Sequence, residues 1–132
     1  MQVKDLCRAP VVTGAAGESL ASAARRMVLR GIGALAVLDD GQLVGIVTER
    51  DLARAVADDA DMAATPVGSY VSVAPASVAP DEDAQEVAAR MLNLGVRHLP
   101  VVEGGQVVGM LSVRDLLVLA AWQPAELQLS QP

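Results

Sequence analysis

The stretch from Gly95 to Leu116 reads GVRHLPVVEGGQVVGMLSVRDL, and the interpretation of the whole chain starts from it. It contains two short apolar runs, Leu99 to Val102 and Gln106 to Leu111, joined by Gly104-Gly105. Two runs rich in β-branched residues around a Gly-Gly dipeptide predict a β-hairpin. After Ser112 the pattern changes to that of a helix. The stretch therefore predicts a strand, a turn, a second strand and a helix.

A similar sequence occurs 64 residues earlier, between Gly31 and Leu52, as GIGALAVLDDGQLVGIVTERDL. The two copies align without insertion or deletion. An amphipathic pattern precedes each copy and predicts a helix with one buried face, capped by Ser19 in the first copy and ended by Gly31 and Gly95. The buried faces are Leu20, Ala23, Ala24, Met27 and Val28 in the first helix, and Ala84, Val87, Ala88, Met91 and Leu92 in the second. The chain is one motif used twice.

Each copy predicts an extended segment, a helix, two strands and a helix. The predicted extended segment is Val11–Thr13, followed by a loop over 14–17. The predicted strands are 34–38, 42–47, 98–102 and 106–111, and the closing helices cover about 49–57 and 113–121. A half of about 60 residues would be marginally stable alone, but two halves can bury their sheet faces against each other. We therefore predict an α/β (α+β) fold of two tandem repeats, each a small sheet with flanking helices, related by a pseudo-twofold axis.

In this division the first repeat covers residues 1–60, the second covers 61–123, and a tail without a clear pattern covers 124–132. Between the repeats, residues 58–66 read as a linker. The residues predicted to be buried at the centre of the two hairpins are Leu35, Val37, Leu99 and Val101.

Composition excludes several classes of function. The net charge is −6, and Tyr70 and Trp122 are the only aromatic residues, which disfavours nucleic-acid binding. A single Cys7 and a single His98 leave no internal disulfide and no plausible metal set. The longest apolar run, Leu116 to Trp122, is too short to cross a membrane, and early charged residues argue against a signal peptide. We expect a cytoplasmic protein, and since no nucleophile and base occur at a usable spacing, not an enzyme.

A hydroxyl residue followed three positions later by aspartate marks the point in each copy where a strand becomes a helix. These pairs are Thr48 with Asp51 and Ser112 with Asp115. Free N–H groups at such a position attract phosphate, and a carboxylate suits two adjacent hydroxyl donors. The alternative is that the hydroxyls are helix caps and the carboxylates only complement the helix dipole.

The repeated pattern resembles the CBS (cystathionine-β-synthase) domain, which occurs as tandem pairs called Bateman modules. The resemblance runs from Val3 to about Ala121. It is carried by the Gly-hydrophobic-x-x-Leu-(Pro)-Val strand, the Gly-Gln-hydrophobic-Val-Gly turn, and the Thr-Glu-Arg-Asp and Ser-Val-Arg-Asp motifs. It implies an α/β module whose two clefts bind an adenosine-containing regulatory ligand, namely AMP, ADP, ATP or S-adenosylmethionine, with no cofactor required. It also implies association into disc-like homodimers.

The resemblance assigns roles to individual residues. Asp51 and Asp115 would accept hydrogen bonds from ribose hydroxyls, and Thr48 and Ser112 would contact ribose or phosphate. A basic residue at the start of the first hairpin strand would reach the phosphates. The second repeat has Arg97 and His98 there, and the first has Gly33 and Ala34. Adenine would lie near Cys7 to Val12, with Ile32 and Ala34, in the Asp115 cleft. In the Asp51 cleft it would lie near Val71 to Ala76, with Val96 and His98.

Some of these residues have equally ordinary structural explanations. Arg50 and Arg114 lie in first helical turns, where the helix dipole disfavours a cation. They serve a nearby anion, or they pair with a carboxylate on the surface or in a dimer mate. His98 is either a phosphate ligand or a partly buried strand residue with one hydrogen bond.

Two functions from different classes follow. The first is a regulatory module that binds an adenine nucleotide, preferably in the Asp115 cleft because Arg97 and His98 supply positive charge there, and modulates an unidentified partner protein. The second is a ligand-free interaction protein that acts as a homodimer. The dimer would use helices on one side, because the apolar Leu116 to Trp122 exceeds what a small domain readily buries.

Overall fold

The computed structural model describes residues 1–73 and 76–122. Single 3₁₀ turns at Val3–Asp5 and Val67–Ser69 precede the two halves. The helices are α1 (Leu20–Arg30), α2 (Glu49–Ala57), α3 (Ala84–Leu94) and α4 (Leu117–Trp122). The strands are β1 (Thr13–Ala15), β2 (Ala34–Asp39), β3 (Gln42–Thr48), β4 (His98–Glu103) and β5 (Gln106–Ser112). The predicted tail lies outside the described residues.

The two hairpins have the same register, as expected from a gapless repeat. β2 pairs antiparallel with β3, placing Leu35 opposite Val47, and β4 pairs antiparallel with β5, placing Leu99 opposite Leu111. In the first half β1 adds a parallel strand beside β2, with Gly14 opposite Val37. The extended segment is therefore a strand at Thr13–Ala15, where a loop over 14–17 was expected, because its backbone groups bond to β2.

Local capping explains where α1 and α3 begin and end. The Ser19 hydroxyl accepts a hydrogen bond from the Ser22 N–H at 3.1 Å, and the Asp83 carboxylate accepts one from the Glu86 N–H at 3.1 Å. Gly31 and Gly95 end the two helices with φ values of 61° and 69°, a left-handed conformation that costs glycine little. The caps at Ser19, Gly31 and Gly95 match the sequence prediction, whereas the Asp83 cap was not predicted.

The expected buried faces of α1 and α3 are wrong at their last position. Leu20, Ala23 and Met27 are buried on α1, but Val28 is 81% exposed. On α3 the corresponding Leu92 is 83% exposed. Each of these residues lies one position, about 100° around the helix, beyond the buried methionine, which carries it off the core-facing stripe. The repeat leaves a matched pair of exposed apolar side chains.

The closing helix of the second half begins later than predicted, at Leu117 rather than Val113. Successive N–H groups between Ser112 and Leu117 bond three residues back instead of four, including Asp115 N–H to the Ser112 carbonyl at 3.1 Å. This tight first turn resembles a 3₁₀ helix. The first half has a regular α2 at the same place.

The hydrophobic core shows that the two halves exchange their first segments. Val3 is completely buried in the core of the second half, and Val67 is completely buried in the core of the first. Backbone bonds hold both exchanges, from Val3 N–H to the Glu82 carbonyl at 2.9 Å and from Val67 N–H to the Glu18 carbonyl at 2.7 Å. The segments that carry Val3 and Val67 are called the lead-in segments, and each of them stabilises the opposite repeat.

A third cluster joins the two sheets directly. It consists of Ala34, Ala36, Ile46 and Met110. The residues predicted to be central, Leu35, Val37, Leu99 and Val101, all have 0% exposure. The prediction of two similar sheet-and-helix units packed on each other is confirmed.

Helices α1 and α3, of 11 residues each, are the longest in the part of the chain that the structure describes. None of the described helices combines the length and the apolar character that crossing a membrane requires.

Candidate functional site

A single open groove of about 1280 Å³ runs between the two halves. Both hydroxyl–carboxylate pairs line it, Thr48 with Asp51 from the first half and Ser112 with Asp115 from the second. The other predicted residues that line it are Arg8, Val12, Ile32, Ala34, Arg50, Ser72, Val73, Val96, Arg97, His98 and Arg114. Ala76 is not among the lining residues, because it packs against the core of the second half.

Asp51 is buried, with 2% exposure, and both of its carboxylate oxygens are already bonded within the chain. Oδ2 accepts the Thr48 N–H at 2.8 Å and the Thr48 hydroxyl at 3.0 Å. Oδ1 accepts the Ser72 hydroxyl at 2.9 Å and lies 3.2 Å from the Arg54 guanidinium. A ribose could reach this carboxylate only by displacing one of these partners.

Asp115 forms the same helix cap but leaves one oxygen open. Its Oδ2 accepts the Ser112 N–H at 2.9 Å, and its own N–H donates to the Ser112 hydroxyl at 3.1 Å. Within residues 1–73 and 76–122, nothing donates a hydrogen bond to Asp115 Oδ1. A half-buried carboxylate oxygen on the groove wall is available to accept hydroxyl donors.

The repeat explains this difference between the two aspartates. The residue at the position equivalent to Ser72, 64 residues earlier, is Arg8, and the residue equivalent to Arg54 is Val118. Neither partner of Asp51 Oδ1 therefore has a chemical counterpart beside Asp115. The sequence prediction included Arg8 only within the segment expected to lie near adenine and gave its charge no role, although the fixed 64-residue offset shows that it replaces Ser72.

Arg8 enters the groove from the N-terminal segment. Its backbone forms a two-bond bridge with Met110 of β5, at 2.9 and 3.0 Å, and its Nη1 donates to the Arg30 carbonyl at the end of α1 at 3.1 Å. Burial, helped by the nearby Asp115 carboxylate, raises the pKa of the adjacent Cys7 thiol above its usual value. The N-terminal segment therefore lies close to Asp115, and Arg8 lines the same groove.

Two equivalent glycines allow the lead-in segments to cross the hairpins at close range. A Cβ on Gly45 would lie 2.6 Å from the Ser72 carbonyl oxygen, and a Cβ on Gly109 would lie 2.8 Å from the Arg8 carbonyl oxygen. Real side chains do not tolerate such distances to backbone atoms. The glycines thus set the depth at which Ser72 and Arg8 lie in the groove.

His98 lies half-buried at the start of β4 and reaches the opposite half. Its Nε2 would be 3.4 Å from a Cβ on Gly33, and Glu49 Oε1 would be 3.0 Å from the same point. The space above Gly33 is thus occupied by these two side chains. Burial lowers the pKa of His98, and Arg97 adds to this effect, while the carboxylates of Asp115 and Glu49 oppose it.

The groove is positive although the chain is negative. Five arginines line it against three carboxylates, a formal balance of +2 in a chain whose net charge is −6. The arginines are Arg8, Arg50, Arg54, Arg97 and Arg114, and the carboxylates are Glu49, Asp51 and Asp115. Local positive charge of this kind attracts anionic ligands despite the overall repulsion. Neither in the groove nor in the rest of the described chain are three or more His, Cys, Asp or Glu side chains placed to hold a metal ion.

Two hairpin-and-helix units around a shared cleft, with the same hydroxyl–carboxylate motif in each, define a tandem pair of CBS domains. The family model of the CBS domain matches residues 3–58 and 67–121, so the chain belongs to the CBS-domain family. Pairs of this family are generally regulatory modules rather than catalysts.

The chain is similar to several known proteins. An uncharacterized 17.7 kDa protein of Acidianus ambivalens is 37% identical over 101 residues, which is 74% of this chain and 60% of that protein. A CBS domain-containing protein of Arabidopsis thaliana is 36% identical over 114 residues, 85% of this chain but 20% of that protein. The chain therefore spans only part of the length of these curated relatives.

Two solved structures carry adenosine-containing ligands. The CBS domain pair of protein MJ0100, in complex with 5′-methylthioadenosine and S-adenosyl-L-methionine, has a TM-score of 0.84 at 27% identity, covering 93% of this chain and 98% of that one. CBS domain protein PAE2072 from Pyrobaculum aerophilum, complexed with AMP, has a TM-score of 0.80 at 26% identity, covering 92% and 99%.

Proposed function

We propose that this chain is a regulatory module that binds an adenine nucleotide at the Asp115 end of the groove and modulates a partner protein. The observation that carries the proposal is the open Asp115 Oδ1 on an arginine-lined wall. The ligand complexes of the two structural neighbours support the same class of ligand. The nucleotide acts here as a regulatory ligand, not as a cofactor.

In the proposed complex each part of the nucleotide has a chemically suitable surface. Asp115 accepts the ribose hydroxyls, with Ser112 beside it. The phosphates face Arg97 and His98 at the start of β4. Adenine packs on the aliphatic wall formed by Val12, Ile32 and Ala34, all of which line the groove. The Asp51 end is the weaker site, because Ser72 and Arg54 already occupy its carboxylate.

The positive groove favours phosphate-bearing ligands over S-adenosylmethionine. The sulfonium of S-adenosylmethionine adds positive charge to a surface with five arginines. A charge-assisted hydrogen bond contributes about 1.5–3 kcal/mol, enough for a tenfold or larger difference in affinity. We therefore expect AMP, ADP or ATP to bind more tightly than S-adenosylmethionine.

Titration calorimetry with AMP, ADP, ATP, adenosine and S-adenosylmethionine tests the proposal. We expect one nucleotide per chain, and Asp115→Ala should weaken binding more than Asp51→Ala, with circular dichroism confirming that both variants are folded. Arg97→Ala should weaken ATP binding more than adenosine binding. Failure of all five ligands to bind would refute the proposal, and a greater loss in Asp51→Ala would refute the assignment of the cleft.

We also propose that the chain forms a homodimer. The supporting observation is the matched exposure of Val28 and Leu92 at the ends of α1 and α3, together with Leu117, which is 62% exposed at the start of α4. If no ligand binds, this surface supports the second candidate function, a ligand-free homodimeric interaction protein. Calorimetry and light scattering together separate the two functions.

A further inference from the structure

We propose that Arg8 gives the Asp115 cleft its selectivity for phosphate. Arg8 occupies the position in this cleft that Ser72 occupies in the Asp51 cleft, where the Ser72 hydroxyl bonds the carboxylate. The inference rests on the proposed function, since it takes the ligand to be an adenine nucleotide. It adds a residue outside both helix-start motifs and outside the β4 pair Arg97 and His98.

Ser72 and Arg8 occupy equivalent positions in the two halves of the structure. Ser72 forms a two-bond backbone bridge with Ile46 of β3, at 3.0 and 2.8 Å. Arg8 forms the same bridge with Met110 of β5, at 2.9 and 3.0 Å. Because Ile46 and Met110 are themselves equivalent in the repeat, the side chains of Ser72 and Arg8 begin at matching points of the two clefts.

The side chains of Ser72 and Arg8 make different contacts from these equivalent positions. Ser72 is short, and its hydroxyl donates to Asp51 Oδ1 at 2.9 Å, which helps to close that carboxylate. Arg8 is long and exposed, lines the same groove as Asp115, and donates a hydrogen bond to the Arg30 carbonyl at the end of α1. The substitution therefore leaves Asp115 Oδ1 open and places a guanidinium in the same cleft.

The Arg8 guanidinium is held by one hydrogen bond to a protein group in the described chain, and this bond runs to a neutral carbonyl at 3.1 Å. A guanidinium has five N–H donors, and it binds phosphate oxygens in a two-bond geometry that is stronger than a bond to a neutral acceptor. A nucleotide whose ribose is bonded to Asp115 thus offers Arg8 a better partner than Arg30. Adenosine, which lacks phosphate, does not.

The test compares the affinities of AMP and adenosine by titration calorimetry in the full chain. Arg8→Ser installs the residue of the first cleft, and we expect it to weaken AMP binding by about tenfold or more while adenosine binding changes by less than about threefold. Arg8→Ala, which supplies no hydroxyl that could occupy Asp115, should give the same loss for AMP. The matched control is Arg25→Ser, which removes the same charge. Arg25 is an exposed arginine of α1 that does not line the groove.

The outcomes separate this inference from the function on which it rests. Loss of AMP affinity in both Arg8 variants but not in Arg25→Ser supports the role of Arg8. Equal losses for AMP and adenosine would show that Arg8 only shapes the cleft, and equal losses in Arg25→Ser would show a general charge effect; either result overturns the inference while the nucleotide function stands. A wild-type chain that binds neither ligand overturns both.

Discussion

The two aspartates show how one residue type serves two purposes. Asp51 and Asp115 occupy equivalent positions and form the same cap with Thr48 and Ser112. Only Asp51 is also bonded to a side chain from outside its own helix, that of Ser72, and only Asp51 is fully buried. Asp51 therefore stabilises the fold, whereas Asp115 retains an oxygen to which no group in the described chain donates a hydrogen bond.

This contrast predicts unequal effects on stability. Asp51→Ala removes the carboxylate that accepts the Thr48 N–H and leaves Ser72 and Arg54 without their partner, and it should lower the free energy of unfolding by about 2–4 kcal/mol. Asp115→Ala loses only the bond from the Ser112 N–H and should cost about 1 kcal/mol. Urea unfolding followed by circular dichroism measures both. Equal losses would contradict the structural role of Asp51.

His98 predicts a dependence of stability on pH. Because burial lowers its pKa in the folded state, the unfolded chain takes up the proton first as the pH falls. The contribution of neutral His98 to stability is therefore complete above the ordinary value of 6.5 and is lost as the pH falls from there through the folded-state pKa. His98→Gln should flatten the stability curve between about pH 7 and 5.5. Thermal unfolding across this range checks it, and an unchanged slope would contradict it.

At the scale of elements, each hairpin is crossed at close range by the lead-in segment of the opposite repeat. The crossing of β3 by the segment that carries Ser72 requires glycine at position 45, because the carbonyl oxygen of Ser72 lies where a Cβ would be. The crossing of β5 by the N-terminal segment requires Gly109 for the same reason. The glycine in each Val-Gly motif of the repeat thus has a packing role.

Substitution at these glycines should be costly. Gly45→Ala places a Cβ 2.6 Å from a backbone oxygen, and such overpacking costs about 1–3 kcal/mol. Gly17→Ala is the matched control, because no atom lies within 4 Å of the new Cβ and its φ is not left-handed. That change should be neutral or stabilising by up to about 1 kcal/mol. Melting temperatures compare the two, and similar values would contradict the close crossing.

Ion pairs repeat along with the hairpins. Glu18 bonds Arg26 through both of its oxygens at 2.7 Å, and Glu82 bonds Arg90 at 2.8 Å, 64 residues later. In each half the pair ties the loop before a helix to the middle of that helix. The bond from Arg90, with one from the Ala79 N–H, lowers the pKa of Glu82. Sequence reasoning missed both pairs, although eight-residue spacing repeated in both copies was the available signal.

At the scale of the whole molecule, the repeat places an exposed apolar side chain at the same position of each half. Val28 and Leu92 are 81% and 83% exposed at these equivalent positions. In the proposed homodimer a second copy of the chain would cover these side chains, and a twofold interface brings the same surface of both copies into contact.

Light scattering at tens of micromolar should therefore show a dimer. The double variant Val28→Glu with Leu92→Glu puts like charges into the proposed dimer interface and should give a monomer with an unchanged fold. Val44→Glu is the control, since Val44 is an exposed apolar residue of β3 away from both helix ends. A wild-type monomer, or a double variant that remains dimeric, would contradict the proposed interface.

The sequence alone determined the repeat, both hairpins, the helix caps and the burial of Leu35 and Leu99. These features depend on backbone bonds between residues close in the chain and on the period of apolar residues, both of which are visible in the text of the sequence. The exact gapless offset then made the second half a copy of the first. For the same reason both hydroxyl–carboxylate motifs could be located directly in the sequence, although the helix after the second motif begins only at Leu117.

Only the tertiary structure decided which of the two equivalent sites is open. Ser72 reaches Asp51 from 21 residues away, Val3 and Val67 exchange cores, and Arg8 replaces Ser72 in the other cleft. Sequence periodicity reports which face of an element is apolar, but not which distant segment packs against it. Contacts between distant segments arise from the packing of the whole chain, and in this protein they make two nearly identical motifs chemically unequal.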